Sequence, residues 1–195
     1  MNTALHATLP FSLWLSRQLD GGKIDESFLT AWLARPLNRE DFVHFADWQA
    51  LIAAKNEEEL TKQLRILRRY VVAHIIVRDI NHISDLAEVT RTITELADFA
   101  INMASDYAEQ YYRDLYGTPM GQYSDSEQHL SVIAMGKAGG FELNVSSDID
   151  LILFSLKAVK PMANARAVIK NFSPKWDKKS LLCWTTSLLM VKFFA

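Results

Sequence analysis

The chain has a single cysteine, Cys183, so it can build neither an internal disulfide nor a thiolate metal cluster. It has no excess of one charge. Twenty-one basic residues stand against 23 acidic ones, for a formal net charge of −2, which excludes the broad basic surface that binds nucleic acid by counterion release. It also lacks a long apolar run, because the most apolar late stretch, Ser180–Ala195, is shorter than the ~20 residues that span a bilayer and contains Lys192. The N-terminus shows no basic segment followed by an apolar run and a cleavage site. These absences lead us to expect a cytoplasmic globular protein with neither a nucleic-acid nor a membrane partner.

Several catalytic signatures are missing too. The five histidines, His6, His44, His74, His82 and His129, contain no His-Glu-x-x-His pair, and His74 reads as structural on its helix. No Gly-x-Ser-x-Gly elbow supports serine hydrolysis. Gly136-Lys137 is not a P-loop, since its lysine precedes the glycine pair.

What is present is, first, helical periodicity. Helices are expected over Phe11–Leu19, ending at Gly21-Gly22, over Glu26–Ala34, ending before Pro36, and over Arg39–Lys55 with Phe42, Phe45, Trp48 and Leu51. Asn56 is a good N-cap with Glu59 three positions on, and Leu60, Leu64, Leu67, Val71 and Ile75 predict a helix to about Asp79. Another helix is predicted from Asp85 to Tyr116, carrying Leu86, Val89, Ile93, Leu96, Ala100, Met103 and Tyr107 on a narrow stripe and running ~45–50 Å. Two long antiparallel helices should therefore form the core of residues 1–122.

The character changes at residue 129. Leu130–Met135 reads as a buried strand, and a second apolar run covers Ile149–Phe154. Between them lies Gly136-Lys-Ala-Gly139-Gly140-Phe-Glu-Leu-Asn-Val-Ser-Ser147-Asp148-Ile-Asp150. If Asp148–Phe154 is a strand, Asp148 and Asp150 share one face while Ile149, Leu151 and Leu153 enter the core. Adjacent carboxylates repel unless a cation lies between them, and a hard divalent ion such as Mg²⁺ is the natural one. The side-chain-free amides of Gly139 and Gly140 can approach a phosphate, above all if Phe141–Asn144 is a helical turn, and Ser147 adds a hydroxyl donor.

Met135-Gly-Lys-Ala-Gly-Gly-Phe-Glu-Leu-Asn-Val-Ser-Ser-Asp-Ile-Asp-Leu-Ile152 closely resembles the nucleotidyltransferase motif of glutamine synthetase adenylyltransferases. The resemblance extends back through the long helices, including Arg78-Asp79, which read as a buried pair tying the helices to the catalytic domain. Ala138, where the family often carries leucine, and Phe141, often arginine or glycine, depart mildly from the pattern.

The resemblance implies an α+β chain: an all-α region of long antiparallel helices, then the start of a polymerase-beta-like nucleotidyltransferase domain over 129–154. It implies that Asp148 and Asp150 are catalytic metal ligands for Mg²⁺, and that Gly136, Gly139, Gly140 and Ser147 serve nucleotide and phosphate. It further implies the adenylyl-removing reaction, in which phosphate attacks the AMP on a glutamine synthetase tyrosine to give ADP. Glutamine synthetase, ATP or ADP and phosphate are thus the implied partners.

After Leu153 the resemblance stops. Shifting the back-translated frame of Ser155–Ala195 by one base restores text like the family's continuation, and the single-codon residues Met162, Trp176, Trp184 and Met190 force Gly, Gly, Asp and Gly there, all of which fit. Residues 155–195 are therefore expected to be an out-of-frame tail that leaves the sheet incomplete. The third aspartate of the family's site is then missing, and the expected chain is inactive. The rival expectation is a non-catalytic helical module that binds a protein partner.

Overall fold

The computed structural model describes residues 3–121, 123–124 and 126–155. The expected tail falls, from residue 156 on, outside the described residues. Short helices α1 (Thr3–Thr8), α2 (Leu13–Asp20), α3 (Glu26–Trp32), α4 (Arg39–Val43) and α5 (Trp48–Ala53) lead into two long ones, α6 (Glu57–Ile80) and α7 (Leu86–Tyr116). Strands β1 (Leu130–Met135) and β2 (Asp150–Ser155) follow, with the one-turn helix α8 (Gly136–Gly139) between them. A helical region followed by a small antiparallel sheet is an α+β arrangement, as the sequence implies.

The long helices begin where their caps dictate. The Asn56 side chain accepts from the Glu59 amide at 3.0 Å, and Asp85 accepts from the Glu88 amide at 2.7 Å, satisfying donors that a helix start leaves open. Only half of the expected capping box forms at Asn56, because the Glu59 carboxylate instead meets Lys62 and Gln63. The turn between the helices needs a left-handed residue, and His82 supplies it at φ 55°.

Two expectations about the extent of helices and their apolar faces require correction. The single helix over Arg39–Lys55 is broken at His44–Asp47, since Asp47 caps a new helix at the Ala50 amide and the Trp48 indole donates to the Phe42 carbonyl at 2.8 Å. The stripe on α7 is not narrow. Thr92, Ala97, Phe99, Ile101, Ala104 and Ala108 are buried as well, because α4 and α5 cover a second side of α7 with Phe42 and Trp48 against Phe99. Leu86 lies 77% exposed beside the turn that joins the two long helices.

One continuous core runs from the helices into the sheet. Leu60, Leu64, Leu67, Phe99, Ala100 and Tyr107 share it with Ala138 and Leu143, and Val132, Ala134, Ile149 and Leu151 pack against it. A second cluster joins Tyr70, Ala73 and Val77 of α6 to Leu5, Leu15, Ile24, Leu29 and Leu33. Helix α6 is thus enclosed on two sides, which is why Arg78 is buried.

The role expected for Arg78-Asp79 is also corrected. Arg78 pairs with Glu88, not with the exposed Asp79, and its third contact is the Leu33 carbonyl at 3.0 Å. The pair therefore locks the helical hairpin to α3's end. The sheet is attached elsewhere, at the far end of α7: Glu109 accepts the Leu130 amide at 2.8 Å and also meets Arg113 and His129, while Arg113 reaches Glu127.

Candidate functional site

Strands β1 and β2 pair antiparallel with Met135 opposite Asp150, Ala134 opposite Leu151 and Ile133 opposite Ile152. Directly opposed residues stand on the same side of a sheet. Val132, Ala134 and Leu151 turn to the core, and Asp150 stands on the outer side with Met135, Ile133 and Ile152. The alternation continues back through half-buried Ile149 to exposed Asp148. Asp148 itself precedes the strand, so the strand expected from residue 148 begins two residues later.

The glycines shape the turn that brings the strands together. Gly136 adopts φ 56°, which a side chain resists, and a Cβ there would lie 3.7 Å from the Asp150 Oδ2. Gly139 has no room for one, since its Cβ would meet the Ala134 carbonyl at 2.6 Å. The helical turn expected at Phe141–Asn144 forms instead at Gly136–Gly139, directly off β1, anchored by buried Ala138. Its closing bond is made by the Gly140 amide, which donates to the Gly136 carbonyl at 3.1 Å. Phe141 is left-handed at φ 59° and exposed, so the mild departure noted there sits at a conformationally demanding position.

Downstream, Asn144 organises the approach to the acids, a role the sequence reading missed although Asn-x-Ser is a known turn signal. Its Oδ1 accepts from the Ser146 amide at 3.0 Å and from the Ser146 hydroxyl at 2.9 Å. The Ser147 Oγ accepts from the Asn144 amide at 3.1 Å, and the Ser147 amide donates back to the Asn144 carbonyl at 3.1 Å. This reciprocal pair leaves the Ser147 hydroxyl hydrogen to donate outward.

Among the described residues, no hydrogen bond or ion pair engages the Asp148 or Asp150 carboxylate. No group of three or more His, Cys, Asp or Glu side chains gathers to hold a metal among them either. Two carboxylate arms nevertheless fit Mg²⁺, which keeps several waters and takes one or two carboxylates plus substrate phosphates. A depression of about 410 Å³, lined by His82, Ser84, Asp85, Glu88 and Arg91, lies at the opposite end of the hairpin and is separate from these acids.

A two-stranded unit with a glycine turn and Ser-Asp-x-Asp has the order of a nucleotidyltransferase motif, and the relatives are adenylyltransferases by name. A family model described as glutamate-ammonia ligase adenylyltransferase matches residues 6–173. The chain is 62% identical over 152 residues to the bifunctional glutamine synthetase adenylyltransferase/adenylyl-removing enzyme of Neisseria meningitidis serogroup A, covering 78% of this chain and 16% of that protein. The protein of the same description from serogroup B is 65% identical over 141 residues, covering 72% and 16%, and that of Chromobacterium violaceum is 44% identical over 151 residues, covering 77% and 16%. This chain belongs to the glutamate-ammonia ligase adenylyltransferase family. It spans about 16% of the length of these relatives. No helix among the described residues is long and apolar enough to cross a membrane.

Proposed function

We propose that residues 129–154 are the start of a polymerase-beta-like nucleotidyltransferase domain, and that Asp148 and Asp150 hold Mg²⁺ against the phosphates of a nucleotide. One observation carries this reading: two exposed carboxylates, engaged by no described residue, lead into a strand whose other side is fixed in the core. A hard cation shared by the two carboxylates would neutralise charge that no described residue neutralises. When bound, Mg²⁺ neutralises phosphate charge and orients the reacting oxygens.

The chain's own groups complete the phosphate side. Gly136 leaves the Asp150 carboxylate unshielded, Gly139 lets the turn lie flat on β1, and Gly140 closes that turn. Ser147 donates its free hydroxyl hydrogen. By family the reaction is transfer of an adenylyl group to or from a glutamine synthetase tyrosine, with phosphate accepting AMP to give ADP in the removing direction, and glutamine synthetase is the protein substrate.

No third carboxylate joins the pair among the described residues. We infer that this chain holds metal and nucleotide weakly and turns over little or nothing by itself. Amide NMR with Mn²⁺ as a paramagnetic probe tests the metal reading: resonances of residues 136–150 should broaden, and Asp148→Asn should abolish the effect. Uniform broadening over the whole chain would defeat it. Incubation with adenylylated glutamine synthetase, phosphate and Mg²⁺ should release no ADP above background, and clear release would refute the inactivity.

A further inference from the structure

The outer side of the sheet carries residues that a solvated surface does not call for. Ile133, Met135 and Ile152 are 46%, 44% and 49% exposed, and the β1–β2 register sets them side by side with Asp150. A sheet face that only meets water alternates toward polar side chains, whereas here the inner side already supplies the core through Val132, Ala134 and Leu151. An apolar floor thus runs on from the acids along the strands. Ile152 lies two residues past Asp150, ~7 Å along the strand, with Ile133 opposite it.

This pairing of surfaces selects a ligand by its own division of charge. One end must be anionic enough to reach a cation held by Asp148 and Asp150, and the other must be apolar and flat enough to lie on branched side chains. A nucleotide has that shape, with phosphates at one end and a base whose ring face is apolar. We propose that Ile133, Met135 and Ile152 form the floor on which the base of the bound nucleotide rests, making them specificity-determining residues of the site. This rests on the magnesium reading given above.

Calorimetry on the 195-residue chain separates the two claims by comparing ADP with inorganic pyrophosphate, which shares the phosphates and lacks the nucleoside. Both should bind only with Mg²⁺ and lose binding in Asp148→Asn. ADP should bind about tenfold tighter, a margin consistent with covering ~50–60 Å² of apolar surface. Ile152→Asn should erase that margin and leave pyrophosphate unchanged, and Ile133→Asn on the other strand repeats the test if the first variant loses its circular dichroism.

Equal affinity of ADP and pyrophosphate, or a margin that survives both isoleucine variants, overturns the floor while the metal reading stands. A larger margin for phenyl phosphate over inorganic phosphate than for ADP over pyrophosphate also overturns it, in favour of a tyrosyl ring as the occupant. Pyrophosphate that binds without regard to Mg²⁺ or Asp148 overturns both.

Discussion

Arg78 and Glu88 form a two-pronged buried ion pair across the turn of the long hairpin, Nε to Oε1 at 2.6 Å and the terminal nitrogen to Oε2 at 3.0 Å. Their side chains are 5% and 11% exposed. The geometry satisfies both charges, and the remaining guanidinium nitrogen reaches the Leu33 carbonyl. Removing one partner strands the other in an apolar setting. Arg78→Ala should lower the unfolding free energy by about 3–5 kcal/mol in urea titration, while a joint replacement of both residues by methionine should cost much less. A loss under 1 kcal/mol for Arg78→Ala would show that the pair does not hold the hairpin.

His74 gives the fold an acid-sensitive point. It is fully buried, its Nε2 meets the Arg35 carbonyl at 3.0 Å, and its Nδ1 has no hydrogen-bond partner among the described residues. Burial pushes its pKa below the ordinary 6.5, with the neighbouring Arg78 acting in the same direction. The unfolded chain therefore binds a proton more readily than the folded one. The neutral histidine contributes stability above about pH 6.5, and that contribution is lost as pH falls below it. Urea midpoints at pH 7.5 and 5.5 should fall more for the native sequence than for His74→Gln. Identical shifts in the two proteins would contradict this.

The glycine turn should tolerate little change. Gly139→Ala forces a methyl against the Ala134 carbonyl and should cost about 1–3 kcal/mol, read as a lowered melting temperature. Gly140→Ala, where the nearest atoms belong to the flexible Glu142 side chain, should cost less. The reverse order would place the close contact elsewhere.

Glu109 should govern how firmly the sheet is attached to the hairpin. Its Oε1 accepts the Leu130 amide and its Oε2 the Arg113 and His129 side chains. Glu109→Ala should raise hydrogen exchange at the Leu130 amide about tenfold or more, and leave exchange in the middle of α6 unchanged. Unaltered exchange at Leu130 would remove Glu109 from that role.

Much of this fold was legible because its signals are local. The caps at Asn56 and Asp85 and the strand Leu130–Met135 are written in a few neighbouring residues each, although the strand expected to be buried leaves Ile133 and Met135 exposed because only one of its sides meets the core. Contacts between distant segments were not legible. Asp47 restarts a helix that looks continuous in periodicity, and the partner of Arg78 is ten residues away across a turn rather than adjacent. At the site, the residue types of Gly136, Ser147, Asp148 and Asp150 announced themselves. Their placement depended on a helical turn that forms at Gly136–Gly139 because Gly139 alone can lie on the Ala134 carbonyl, and on the hydrogen bonds of Asn144.

The central claim, that Asp148 and Asp150 hold magnesium for a nucleotide, is tested most directly by titrating ADP into the chain in the calorimeter with Mg²⁺ and again with chelator. Saturable heat should appear only with Mg²⁺ and vanish in both Asp148→Asn and Asp150→Asn. Binding that persists under chelation, or in either aspartate variant at unchanged affinity, would contradict it.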